Sequence, residues 1–283
     1  MVDHVVTAFD GTRLAVRDHG GDGPDVLFLH GRSRSLADWP PVLRHLDGVR
    51  AVSMDARWHG RSSTGGAVGV DALVGDIDAV LDALRLERPL IVGHSMGGVI
   101  ATHFAAARNT CCGVLNIDGL DARRTELPRG GGPARRAGRL DHGDDDWHTD
   151  EVARLRREDA DFGAPDNVTD AFVERAFAQD PDGTWHRRPP TAFYELPVGA
   201  GADAYPVAVE KAFCPVTVLL CTGDRKTPSG RDVAIAAMRS SLHEELEPLV
   251  ATVPDFRLQT IDGSHAVIFE KPSEIASIVR SLL

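Results

Sequence analysis

The sequence predicts an α/β protein: a mostly parallel eight-stranded sheet with helices on both faces, and a helical lid inserted after the sixth strand. Two observations carry this reading. Short, continuous apolar runs alternate with segments of helical apolar periodicity, the pattern that builds a parallel sheet covered on both sides. The alternation stops after Ile117 and resumes at Val216, which leaves room for an inserted unit.

Val5–Ala8 and Leu14–Arg17 flank the turn signal Asp10-Gly11-Thr12, so the chain opens with a β-hairpin. Val26–Leu29 lies between Pro24 and Gly31 and reads as a strand buried on both faces. Val49–Met54, Leu90–Val92, Gly113–Ile117, Val216–Cys221 and Arg257–Ile261 repeat that character. Helical patterns lie between them, over Leu36–Leu46, Asp71–Leu84, Met96–Ala107, Arg231–Leu246 and Ser273–Leu283. The stretch between Ile117 and Val216 carries no strand signal. It holds an Arg-, Gly- and Pro-rich segment at 123–139, an acidic block up to Asp146, and helical patterns over Glu151–Glu158 and Thr169–Ala178. These boundaries divide the chain into a core over 1–121 and 213–283 and a lid over 122–212.

A chain of 283 residues can bury one large α/β core with an inserted unit. Its net charge of −11 argues against nucleic acid or an anionic membrane as a partner and leaves a small-molecule substrate. No run approaches the roughly 18 apolar residues of a membrane helix. The opening Met1-Val2-Asp3-His4 lacks the character of a signal peptide, so a cytoplasmic location is expected. The four cysteines, Cys111, Cys112, Cys214 and Cys221, fit neither a zinc site nor a disulfide framework and read as small buried hydrophobes. His142, Asp144, Asp145, Asp146 and His148 lack the spacing of a metal cage. Neither a metal nor a cofactor is expected, and the oligomeric state is left open.

Residues 93–98 read Gly-His-Ser-Met-Gly-Gly, between the apolar strand ending at Val92 and the helix that follows. This is the G-x-S-x-G pattern of a nucleophile elbow. Gly93 and Gly97 allow a turn tight enough to raise Ser95 above the sheet, at a helix N-terminus. A serine hydroxyl needs a base, and the base needs an orienting acid. His265, in Gly263-Ser264-His265 after the last strand pattern, is the candidate base. An oxyanion would be held by backbone N–H groups of Met96, next to the nucleophile, and of Arg32 in His30-Gly31-Arg32-Ser33.

Together these segments resemble the α/β-hydrolase fold superfamily, in its capped branch of serine esterases, lactonases and related enzymes. The resemblance runs nearly end to end. It includes His30-Gly31, Asp55-Ala56-Arg57-Trp58-His59-Gly60-Arg61-Ser62, Gly93–Gly98, Thr222-Gly223-Asp224 and Gly263-Ser264-His265. The second segment carries Trp58 where the family's pattern has glycine, and it implies structural roles for Asp55 and His59. Serine at 95 separates the chain from relatives of this fold that attack with aspartate.

The acid departs from the pattern. The family keeps it three residues past a glycine after the seventh strand, where this chain has Lys226. Asp118, at the end of the sixth strand, is favoured over Asp224, with Asp121 as a further alternative. The resemblance implies cleavage of a carboxylic ester, lactone or thioester through an acyl-enzyme on Ser95. The alternatives are lyase, cyclase or dehydratase-type proton transfer on the same scaffold, or a binding protein without catalysis. Among the lid aromatics Trp147, Phe162, Phe172, Phe177, Trp185, Phe193 and Tyr194, a substrate pocket would draw foremost on Trp147, Trp185 and Tyr194.

Overall fold

A computed structural model describes residues 1–120, 142–190, 193, 204–223 and 231–283, with side chains omitted at 204 and 231–234. The main sheet contains β1 (Val2–Thr7), β2 (Arg13–Gly20), β3 (Asp25–Leu29), β4 (Arg50–Met54), β5 (Leu90–His94), β6 (Gly113–Ile117), β10 (Val216–Cys221) and β11 (Phe256–Ile261). Their order is β1-β2-β4-β3-β5-β6-β10-β11. The opening hairpin pairs antiparallel with β4, and every later pair is parallel. The α/β expectation, with eight strands and helices on both faces, describes this architecture.

Strand periodicity explains the two cores. On β3, Leu27 and Leu29 face one side, while Val26 and Phe28 face the other. On β10, Val216, Val218 and Leu220 divide in the same way from Leu219 and Cys221. The first side is covered by α2 (Val70–Leu84), α3 (Met96–Ala107), α6 (Ala204–Glu210) and α7 (Arg231–Thr252). The second is covered by α1 (Pro40–Leu43), α8 (Val267–Glu270) and α9 (Pro272–Ser281). The expected helix over Leu36–Leu46 is broken into a 3₁₀ turn at Leu36–Asp38 and the short α1, because Pro40 and Pro41 permit only a helix start. No helix among the described residues is long and apolar enough to cross a membrane.

Between β6 and β10 lie α4 (Asp145–Phe162), α5 (Asp166–Arg175) and a small sheet of β7 (His142–Gly143), β8 (Phe177–Gln179) and β9 (Trp185–Arg187). The expectation of no strands here is corrected: these strands are two or three residues long, too short to show an alternation in the sequence. Tyr205 and Val209 of α6 pack into the main core, although the sequence boundary at 212 assigns them to the lid. The cysteine reading also needs revision. Cys112 is exposed, and the Cys111 and Cys214 sulfurs lie 3.0 Å apart.

Asp55 and His59 serve the loop that follows β4. Asp55 accepts from the backbone N–H of Leu36 and of Arg61, both at 2.8 Å, and from the Arg175 guanidinium of α5. His59 donates from Nδ1 to the Arg57 carbonyl and accepts the Ser33 N–H at Nε2. Trp58 has φ +70°, the left-handed conformation that explains why glycine is usual at this place in the resembling pattern.

The same loop carries a fully buried ion pair. Arg57 Nε and Nη2 each lie 2.6 Å from an oxygen of Asp76, with the two side chains 0% and 1% exposed. Removing Asp76 leaves the buried guanidinium to the Asp10 carboxylate and the Ala67 carbonyl at its other nitrogen, and breaking a buried pair in this way costs about 3–5 kcal/mol. The half-exposed Arg17–Asp3 pair belongs to the class worth about 0–1 kcal/mol. In urea melts, Asp76→Ala is expected to lower stability several-fold more than Asp3→Ala; equal losses would contradict this account.

Candidate active site

The geometry of the candidate site is set at the carboxyl rim of the sheet. Parallel pairing places His94 of β5 opposite Ile117 of β6, Ile117 opposite Leu219 of β10, and Cys221 opposite Ile261 of β11. The residues just beyond these strands therefore converge: Ser95, Asp118 and the loop that carries His265. Ser95 has φ +53° and ψ −121°, a strained turn between β5 and α3. A Cβ at Gly93 would run into the Gly97 backbone, and one at Gly97 would run into the Leu29 carbonyl, so both glycines are required by close approach. The Ser95 N–H is held by the Ile117 carbonyl at 2.9 Å.

Three side chains form a continuous hydrogen-bond chain. The Ser95 hydroxyl donates to His265 Nε2 at 3.0 Å. His265 Nδ1–H donates to Asp118 Oδ2 at 2.6 Å. Ser95 and His265 are half-buried, and Asp118 is completely buried. The bond to Asp118 fixes the tautomer that leaves Nε2 free to accept a proton. Of the other candidate acids, Asp224 and Asp121 lie outside the described residues, as does Lys226.

Arg239, on α7, is the principal site residue that sequence reasoning missed. Its Nε lies 2.9 Å from Asp118 Oδ1, its Nη2 lies 2.7 Å from Oδ2, and its Nη1 donates to the Gly223 carbonyl. The Cys221 N–H adds a bond of 3.0 Å to Oδ1. Burial alone would raise the Asp118 carboxyl; the bonds and charges of His265 and Arg239 outweigh it and hold the group well below the usual carboxylate range. A signal was present in the sequence. Arg239 follows Met238 and precedes Leu242 and Leu246 at helical spacing, so it lies at the margin of a buried stripe.

The loop after β3 passes directly over the serine. A Cβ at Gly31 would come within 3.2 Å of Ser95 Cβ, which brings the Gly31-Arg32 backbone beside the hydroxyl. His30 steadies the loop by donating from Nδ1 to the Gly31 carbonyl and accepting the Ala56 N–H at Nε2. Met96 starts α3, so its N–H has no acceptor in the preceding turn of the helix. Backbone donors of this type, at a helix start and a glycine-permitted loop, can hold a developing oxyanion.

The insertion closes over this rim through buried charge. Arg34 pairs with Asp38 and with Asp159 of α4, and its guanidinium lies 4.2 Å from the Phe172 ring centroid. Phe162, at the end of α4, sets its ring edge-on to His265 at 6.2 Å and to Phe269 at 5.8 Å. Trp147 and Trp185 pack against the insertion's own small core around Leu155, Phe172 and Phe177. Trp147 meets Phe177 edge-on, and Trp185 stacks on His148. Two helices and three minimal strands need those rings to form a core at all. Tyr194 lies outside the described residues. Phe193 is buried against His59. In the acidic block, Asp144 caps α4 through the Trp147 N–H and Asp145 accepts from Trp185 Nε1.

The alpha/beta hydrolase family model matches residues 26–278. Lipase LipV of Mycobacterium tuberculosis is 27% identical over 286 aligned residues, covering 95% of this chain and 97% of that protein. Epoxide hydrolase B of the same organism is 36% identical, but over 46% of this chain and only 39% of its own length. Among solved structures, the thioesterase domain from the curacin biosynthetic pathway superposes with a TM-score of 0.72 at 19% identity, covering 99% of both chains, a likeness of fold.

The rim also fixes how stability depends on pH. His30, His59 and His94 are at most 2% exposed, and burial pushes each below its ordinary range, His94 to about 3. Unfolding restores an ordinary value near 6.5, so below that pH the unfolded chain takes up protons that the folded chain refuses. Each histidine then removes up to about 1.4 kcal/mol per pH unit. The depressed carboxyl of Asp118 stays ionised through this window and contributes nothing to the slope. Thermal melts at constant ionic strength should show Tm falling from pH 7 to pH 5, and His94→Gln should flatten part of that fall. A flat Tm across this range would be inconsistent with neutral buried histidines.

Proposed function

The chain belongs to the alpha/beta hydrolase family, and within it we propose a serine hydrolase that cleaves a carboxylic ester, lactone or thioester through an acyl-enzyme on Ser95. The observation that carries this reading is the hydrogen-bond chain from Ser95 Oγ through His265 to Asp118, with distances of 3.0 and 2.6 Å. His265 takes the hydroxyl proton as Ser95 Oγ bonds to the substrate carbonyl carbon, and Asp118 stabilises the resulting imidazolium. The carbonyl oxygen becomes an oxyanion held by the N–H groups of Arg32 and Met96. Collapse of the tetrahedral intermediate expels the alcohol or thiol, which takes the proton from His265 and leaves Ser95 acylated. Water then attacks the acyl carbon with His265 again as base, and the acid is released. This mechanism needs no cofactor.

Phe162 walls the side of His265 that faces α4 and favours an apolar group there. Serine as nucleophile argues for acyl transfer over epoxide opening, whatever the likeness to epoxide hydrolase B. A fluorophosphonate probe is expected to label the wild-type protein and not Ser95→Ala, while Asp118→Asn should lower turnover of an activated ester by about 10²–10⁴-fold. Labelling that survives Ser95→Ala, or a folded wild type that resists the probe, would sink the reading.

Arg239 is a positioning residue in this scheme. It holds Asp118 and offsets part of the negative charge that His265 feels. Arg239→Met therefore favours the imidazolium, and the acid limb of the pH–rate profile is expected to move to higher pH. Arg239→Lys keeps the charge and should restore the limb. A variant that only lost stability would leave the profile in place.

A further inference from the structure

Cys111 and Cys214 meet far from the serine. Cys111 lies two residues before β6 and Cys214 two residues before β10, and these neighbouring strands pair in parallel. Both cysteines therefore lie at the amino rim of the sheet, opposite the rim that holds Ser95, Asp118 and His265. Their sulfurs are 3.0 Å apart, inside van der Waals contact, although they are separated by 103 positions in the chain. Backbone bonds hold both segments: the Cys112 N–H donates to the Pro89 carbonyl, the Val114 N–H to the Pro215 carbonyl, and the Phe213 N–H to the Ala105 carbonyl.

We propose that Cys111 and Cys214 are a modification site: a reversible intramolecular disulfide that closes the chain around the whole insertion, formed by a low-molecular-weight disulfide. Bonding geometry needs a sulfur separation of about 2.05 Å, so roughly 1 Å of approach is required, which side-chain rotation can supply. The two thiols are not equivalent. Cys214 is half-buried and Cys111 fully buried. The thiol–thiol contact, in which either sulfur can donate, lowers the Cys214 thiol and raises that of Cys111; burial adds to the rise at Cys111, and the Arg88 charge favours a thiolate at this pair. Cys214 is thus the entry point, where its thiolate attacks one sulfur of the small disulfide and expels a thiolate. Cys111 then attacks the Cys214 sulfur of the mixed disulfide, its proton passing to the second thiolate that leaves. The protein loses two electrons and two protons, and one small disulfide becomes two small thiols.

Closing so long a loop constrains the unfolded chain more than the folded one. The link lies away from the proposed catalytic groups, so turnover of an activated ester should be unchanged while Tm rises by roughly 5–10 °C. The test treats reduced full-length protein with glutathione disulfide, alkylates the remaining thiols under denaturing conditions and maps the peptides. The reduced chain takes up four alkyl groups, one for each cysteine. The expected result is uptake of two, no retained glutathione, and a peptide pair joining 111 to 214. The pair should also form in Cys112→Ser and be absent from Cys111→Ser, and dithiothreitol should reverse both the link and the Tm gain. A stable glutathione adduct, a bond through Cys112 or between two chains, unchanged uptake of four groups, or a link that lowers Tm would each overturn the assignment.

Discussion

A charged carboxylate inside a protein must be surrounded by donors, and Asp118 meets that requirement with donors drawn from three other parts of the chain. The carboxylate itself directly follows β6. Its oxygens receive the Cys221 N–H from β10, the guanidinium of Arg239 from α7, and the Nδ1–H of His265 from the loop after β11. Such bonds are short and strong because charge assists them, and the burial of the ion is tolerable only while they are all made. The position of His265 is therefore dictated from beneath by the carboxylate, and that of Ser95 by the elbow. Their 3.0 Å contact follows from the register that sets His94 opposite Ile117. Both Ser95 and Asp118 adopt positive φ, so the strain falls on two of the three residues in that chain.

Buried charge also attaches the insertion. Arg34 belongs to the loop that passes over Ser95, and its partner Asp159 belongs to α4. Arg175 of α5 reaches back to Asp55, whose other oxygen holds the Leu36 N–H of that first loop. The loop beside the serine is thus shared between core and insertion. A displacement of α4 or α5 would leave Asp159 or Asp55 short of a cation and would loosen the backbone that frames Ser95. Phe162 adds an apolar contact at His265, so the same helix that anchors the loop also shapes the space beside that imidazole.

The sequence made the sheet and the elbow legible because both rest on local patterns. Met96–Ala107, Gly113–Ile117 and Val216–Cys221 occupy the spans that periodicity predicts. The serine, the histidine and the glycines around them could be placed on the rim from strand order alone. Arg239 was legible only as a guanidinium beside a buried stripe, and that place on a long helix says nothing of which carboxylate it will meet. The meeting of Cys111 with Cys214 was not legible, as it depends on β6 and β10 becoming neighbours across the insertion. The fate of the tryptophans turned on how much apolar surface a small inserted unit needs for itself, a quantity that aromatic content does not reveal.

The two rims of the sheet divide the physical demands. At the carboxyl rim the chain holds strained turns, buried neutral histidines and a buried ion pair, each of which lowers stability unless its partners are in place. At the amino rim Arg88 before β5 and Asp255 before β11 also adopt positive φ, and there the long excursion of the insertion returns to the sheet beside its point of departure. A cross-link at that return would act where the unfolded chain has most freedom to lose and where no reacting group would be disturbed. With that link in place, the added restraint would lie at the far end of the same strands, away from the strained turns at Ser95 and Asp118.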